Sequence, residues 1–379
     1  MLLPYFAVGN QTIMAGFEYV FPSIRGIQAG REYYISMCPL RLIPRIFLFD
    51  EEELRPELRS QRTLNKQRIP ELSRYILNNP KEYTFSAITA SIDGNATFES
   101  IGDAGDGKSM GRLHIPMNAK FVINDGQHRR AAIEEALYEN PELGDETISV
   151  VFFMDVGLKR TQQMFADLNR YAVRPTTSLG ILYDHRDEMS FIAKSVVERV
   201  PVFNDLCELE KGTISNRSIK LFTLSGVFTA TKLLLSGLDV GSAEEKIDLA
   251  SEFWCEVAKQ IPDWEAARQR DVRASDLRSD FIHSHSLGLS AIARTGNSLL
   301  KKGRRNWKSK LAKLSKVDWS RNNSKLWDGR AMVAGRLAKR GVNVVLTANA
   351  LKNQLGLELT ADENQTEKEF TGNNGRTGK

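Results

Sequence analysis

Cysteine is scarce in this chain of 379 residues: Cys38, Cys207 and Cys255 stand far apart, with no CxxC pair and no ordered histidine partner. That usage supports neither a disulfide framework nor a zinc finger, and it points to a reducing cytoplasm. Long apolar runs are lacking too. The stretch around Ile46-Phe47-Leu48-Phe49 is short and interrupted by Pro39, Arg41, Pro44 and Arg45. It cannot span a bilayer, and without a charged n-region the N-terminus does not read as a signal peptide, so no membrane partner is expected. No internal repeat is found. His283 and His285 have no carboxylate pair at metal spacing, so they read as structural or substrate-side polar groups and no metal is expected. No Ser/His/Asp or Cys/His catalytic set can be placed.

What is present is an ordinary soluble composition, 41% hydrophobic, at a length that allows two domains. The first half mixes strand and helix patterns. Residues 83–92 alternate as a strand, with 96–101 its expected partner, and Ile148 to Phe153 form an apolar strand expected near the middle of a sheet. Helical patterns cover 64–78 and 161–169. From about Tyr183 the texture turns helical, over 221–235, 247–261 and 287–300. The fold class expected is α+β: a mixed α/β domain over 1–182, a helical domain over 183–359, and a disordered polar tail over 360–379.

The densest local pattern is Asn124-Asp125-Gly126-Gln127-His128-Arg129-Arg130, between an apolar strand run (Phe121 to Ile123) and a helical run through Ala132, Ile133, Ala136 and Leu137. This is a strand-to-helix turn. Asn124 or Asp125 would cap the first helical turn, and Gly126 would take the backbone angles of a tight reversal. A helix N-terminus attracts anions, and Arg129 or Arg130 would add bidentate donors to it. The plainer reading is a turn followed by a solvated helix face.

Gly102 to Ser109 satisfies the GxxxxGK[ST] string of a phosphate-binding loop, but Met110 to Pro116 reads as extended chain where that loop requires a helix. A glycine-rich connection between strands is the simpler account. Gln162, Gln163, Phe165, Asn169 and Arg170 follow the central strand, where loops of α/β units gather site residues. Asn169 and Arg170 therefore join the candidate anion set.

Charge is unevenly distributed. Between Lys301 and Arg340 fourteen Lys or Arg face only Asp318 and Asp328, a local excess of twelve in a chain whose formal charge is +5. Such polarity suggests a polyanion, most economically nucleic acid, with Arg304, Arg305, Lys308, Lys310, Lys313, Arg321, Lys325 and Arg330 as phosphate contacts. Trp307, Trp319 and Trp327 lie among them. Anchoring to their own domain is the commoner role for such indoles, stacking on bases the rarer one.

Asp125-Gly126-Gln127-His128-Arg129, with Phe165 to Asn169 downstream, Gln61 to Asn65 upstream, and Asp318 to Arg321 and Trp327 beyond, resembles the DGQHR-domain family, and within it the DndB-like proteins of DNA phosphorothioation systems. The resemblance implies kinship with the ParB/sulfiredoxin fold, whose GxxRxxA phosphate pattern falls on Gly126, Arg129 and Ala132. It implies a DNA-binding repressor of the modification operon, with operator DNA as partner, and with a homodimer and other modification proteins as further partners. The alternative is an ATPase, CTPase or nuclease of the same system, with ATP or CTP as cofactor and Asp125, His128 and Arg129 as catalytic candidates. No helix-turn-helix is evident, so the groove-reading element stays undefined.

Overall fold

Residues 17–47, 68–154, 163–164, 166–168, 175–303, 305–338 and 340–374 are described in a computed structural model. Phe165, Asn169, Arg170 and Arg304 lie outside the described residues, as does the Gln61 to Asn65 string. The chain divides into two units, Met1–Val173 and Arg174–Lys379.

In the first unit seven strands form one sheet: β1 (Glu18–Gln28), β2 (Arg31–Pro39), β3 (Ile88–Asp93), β4 (Thr97–Ser100), β5 (Met110–Pro116), β6 (Lys120–Asp125) and β7 (Thr147–Met154). Their order is β4-β5-β1-β2-β7-β3-β6. Every pairing is antiparallel except β3 with β7. Side chains alternate across the pleat, so Phe21, Tyr34, Cys38, Leu113, Val150 and Phe152 enter the core while Val20, Ile24, Ile35 and Met37 face outward. Among the described residues, helices α1 (Ile43–Ile46), α2 (Ile69–Asn78) and α3 (Gln127–Glu139) accompany the sheet.

The strand over 148–153 is interior, in keeping with a run that is apolar but for Ser149. The expected pairing of 96–101 with 83–92 is not found. β4 instead pairs with β5 through the glycine-rich turn, and β3 is taken on both sides by β7 and β6. A strand and not a helix follows Lys108-Ser109, so no helix dipole faces that loop and the phosphate-loop string is a hairpin connection. The β1–β2 hairpin has no sequence counterpart above; its turn is Ala29-Gly30, both at positive φ (51° and 73°).

The second unit is helical: α4 (Thr177–Tyr183), α5 (Glu188–Arg199), α6 (Pro201–Leu206), α7 (Leu224–Leu235), α8 (Ala243–Gln260), α9 (Pro262–Gln269), α10 (Ala274–Asp280), α11 (Ser286–Lys301), α12 (Trp307–Leu311), α13 (Ser324–Trp327), α14 (Gly341–Leu355) and α15 (Ala361–Asn374). Two short strand pairs join them. Phe203, Phe222, Trp254 and Trp264 pack edge to face at its centre, with ring centroids 5.0 to 5.3 Å apart for the closest pairs. The domain boundary moves ahead of the expected residue 183, because Ile181 of α4 packs into this core and Ser178 bonds Ser225 of α7.

The expected disordered tail is also corrected: residues 361–374 form α15. Thr360 Oγ1 accepts from the Glu363 amide at its start. Lys352 of α14 donates to both Glu363 oxygens at 2.7 and 2.8 Å, with both residues almost fully buried. Arg330 holds Glu367 bidentately at 2.6 and 2.8 Å. Ion pairs in place of an apolar stripe fasten this helix, so hydrophobic periodicity does not reveal it. Lys352→Met, which leaves the buried Glu363 carboxylate only the longer Arg294 contact at 3.4 Å and the Thr360 amide, is expected to lower unfolding free energy by about 3 kcal/mol in urea titrations. Lys352→Met/Glu363→Leu should recover most of that loss; equal losses in the two variants would mean the pair is not coupled.

Candidate functional site

β6 brings the chain to Gly126, which stands at φ 110° as the N-cap residue of α3. A Cβ there would sit 3.0 Å from Ile88 Cγ1 and 3.3 Å from Ile88 Cα, so glycine is required both by the dihedral and by the close approach to β3. Neither Asn124 nor Asp125 caps the helix. Asn124 is fully buried and donates to Ser91 Oγ (2.7 Å) and Met164 Sδ (3.1 Å) instead. Asp125 accepts from Arg129 at 2.5 Å, one helical turn on. Gln127 Nε2 reaches back to the Ile123 carbonyl at 3.3 Å.

The guanidiniums are engaged inside the unit. Arg129 also donates to the Ala87 carbonyl at 3.1 Å, beside β3. Arg130 donates to the Phe47 carbonyl at 2.9 Å and the Pro44 carbonyl at 3.2 Å, and pairs with Glu134. Arg130 is thereby enclosed, whereas Arg129 is held through Nη2 alone and its buried Nε has no hydrogen-bond partner among the described residues. Gly126, Arg129 and Ala132 of the GxxRxxA string approach, tie and pack: Ala132 is fully buried. His128 is half-buried. Burial, then the charges of Arg68 and Arg129, lower its pKa below the ordinary imidazole value against the opposing pull of Asp125. Among the described residues no group of three His, Cys, Asp or Glu could hold a metal ion.

In the basic segment the indoles point inward. Trp307 packs against Phe253, Trp319 stacks on Trp327 with centroids 5.7 Å apart, and Trp327 Nε1 donates to the Asp318 carbonyl at 2.9 Å. All three are buried, as expected of anchors. The cations separate into two sets. Arg305, Lys308, Lys310, Lys313 and Lys325 are exposed; of these Lys308 pairs with Glu252, and Lys313 reaches the Leu355 carbonyl at 3.2 Å. Arg330 is held by Glu367, by the Leu346 carbonyl at 3.1 Å and under the Phe370 ring. Arg321 turns inward to the Arg278 carbonyl and His285.

A model of the DndB family, described as DNA-sulfur modification-associated, matches residues 21–358, which takes in both the Asp-Gly-Gln-His-Arg turn and the basic segment. The chain belongs to the DndB family. This ties it to DNA sulfur modification. Comparison with curated proteins found no match, and comparison with solved structures found none either. Among the described residues of this DndB-family chain, no helix is long and apolar enough to cross a membrane.

One constellation was invisible in the sequence because its parts lie on separate elements. Asp263 Oδ2 is 3.2 Å from His283 Nε2, and Ser284 Oγ is 3.0 Å from His283 Nδ1. This has the outline of a nucleophile-base-orienter set. Trp264 decides otherwise. Its Nε1–H, which can only donate, points at the same Nδ1 from 3.0 Å, so Nδ1 is the unprotonated acceptor and Nε2–H faces Asp263. Taking a proton from Ser284 would set an imidazolium N–H against the indole N–H. Burial opposes the charged imidazole further. His283 is a structural hub.

Two predictions test this unit-by-unit reading. Gly126→Ala should cost about 1–3 kcal/mol through strain at positive φ, measured by denaturant unfolding; an unchanged midpoint would refute the close-approach account. Burial lowers the pKa of His283 and pushes that of His285 down to about 4, from 6.5. The unfolded chain then binds more protons between those values, so stability should fall as pH drops from about 6.5 towards 4. Unfolding midpoints measured across this range should show the decline, and His285→Gln should make it shallower.

Proposed function

We propose that this DndB-family chain is a DNA-binding negative regulator of DNA phosphorothioate-modification genes, and that the exposed cations of the 301–340 segment hold backbone phosphates. One observation carries the DNA contact. The buried Trp307 and Trp327 anchor α12 and α13, while Arg305, Lys308, Lys310 and Lys325 are exposed to solvent. Lys308 remains usable because an exposed pair such as that with Glu252 is worth at most about 1 kcal/mol and exchanges readily for a phosphate. Arg321 and Arg330 keep a supporting role, since their donors are engaged on Arg278 and Glu367. The negative direction of control rests on resemblance to DndB-like regulators.

Phosphate contacts release counterions, so affinity must depend steeply on salt. With about six contacts, binding should weaken by roughly three orders of magnitude between 50 and 200 mM salt. A gel shift on DNA upstream of the protein's own gene cluster measures this. Lys308→Ala/Lys310→Ala/Lys325→Ala should weaken specific and nonspecific DNA alike and reduce the log–log salt slope by about 3. Salt-insensitive binding, or a slope unchanged in the triple variant, would remove the segment from the interface.

A further inference from the structure

The sheet of the first unit has an outer face that α1, α2 and α3 leave bare. Ile46, Ile76, Ile133 and Ala136 of these helices share a core with Phe21, Leu113 and Val150, which point to the inner side. On the outer side the strand register sets Met110, Ile24, Ile35 and Val151 next to one another across β5, β1, β2 and β7. Val20 and Met37 flank this row at one end of the strands, and Tyr33 stacks on Phe153 at the other, with centroids 5.6 Å apart. Val20, Ile24, Ile35, Met37 and Met110 are 38 to 54% exposed. A contiguous apolar patch of this kind marks a contact surface. Beside Met37 and Ser149 it runs into a recess of about 370 Å³ lined also by Leu40, Tyr83, Thr84 and Phe85.

The chain itself contains a match. Residues 1–16 lie outside the described residues; in sequence, they and Phe17 include no charged side chain, in a chain that is 26% charged, and Leu2-Leu3, Tyr5-Phe6 and Ile13-Met14 are apolar pairs. Water is a poor solvent for such a stretch. It also joins the sheet at the right place. β1 runs antiparallel to β2, and β2 to β7, so β1 starts at the end of the sheet where β2 leaves and β7 begins. The recess lies at that end, about 10 Å from β1 at two strand spacings. Ile13 and Met14 precede Phe17 by four and three residues, a reach of about 13 and 10 Å in extended chain. Phe17, where the described chain begins, is 85% exposed.

We propose that residues 1–16 fold back across the outer face of their own sheet, with Ile13 and Met14 at the recess and the apolar side chains of residues 2–8 over Val20, Ile24, Ile35 and Met110. The tether favours this occupant over others. It holds the segment beside the face at an effective concentration on the order of millimolar, whereas a second copy or another protein must arrive from dilute solution. The inference does not rest on the DNA reading.

Thiol accessibility in the full chain tests it. Ile24→Cys and Met110→Cys, made singly, place a thiol on the face; Cys38 and Cys207 are buried, and peptide mass spectrometry separates the new thiols from Cys255. Both should react with a maleimide about tenfold faster, or more, in a chain lacking residues 2–16 than in the full chain. A synthetic peptide of residues 1–16, added at about millimolar concentration, should restore the slow reaction. Leu3→Asp/Phe6→Asp in the full-length chain should give the same gain, and it serves if the shortened chain does not fold. Gln28→Cys, on the β1–β2 turn, should react equally in every background. Equally fast reaction of the face thiols in the full and shortened chains would show the face bare and overturn the proposal. Equally slow reaction would assign the cover to something other than this segment and overturn it too. Slow reaction confined to concentrations at which sedimentation shows a dimer would make a second copy the cover and overturn the folded-back arrangement.

Discussion

Arg130 donates to the carbonyls of Pro44 and Phe47 and pairs with Glu134, and through these bonds it fastens α3 to the α1 segment. A guanidinium so enclosed must find acceptors, since leaving one unpaired costs several kcal/mol. The rest of the first unit is arranged so that it can. Gly126 at positive φ lets α3 approach β3 closely; Arg129 then reaches the Ala87 carbonyl, and Ala132, Ile133 and Ala136 bury their small faces in the core. Gly126, Arg129 and Arg130 of this turn thus set a helix against a sheet.

The same constraint orders the second unit. Lys352 would not tolerate its nearly complete burial without the Glu363 carboxylate, and Arg330 orders Glu367 by a planar two-point contact that a lysine could not make. α15 consequently depends on charge and geometry. Because a bidentate pair is directional, it also sets the helix register, which a featureless polar face would leave free.

These cases show where sequence patterns inform and where they stop. Period and composition revealed β7, β6 with α3, and the long helices α7, α8 and α11, because each buries a regular apolar set. β1 and β2 escaped because Pro22 and Gly26 break the strand pattern and Ala29-Gly30 is an unusual turn pair. α15 escaped because its partners, Lys352 and Arg330, are ions on other elements and not an apolar stripe of its own. At the candidate site, the motif was visible as a strand-turn-helix, but the direction of each guanidinium was not: Asp125, Glu134, Ala87 and Phe47 accept those donors, and two of these lie more than forty residues upstream. The Asp263-His283-Ser284 set likewise exists only after folding.

Net charge is therefore a poor count of what a protein can offer an external polyanion. Fourteen cations crowd the 301–340 segment, yet Arg321 and Arg330 are spent on internal acceptors and the indoles between them are buried. The cations that remain solvated share one property: in the proposed DNA contact their ammonium or guanidinium groups would lose little water on meeting a phosphate, which would give salt-dependent, sequence-tolerant affinity.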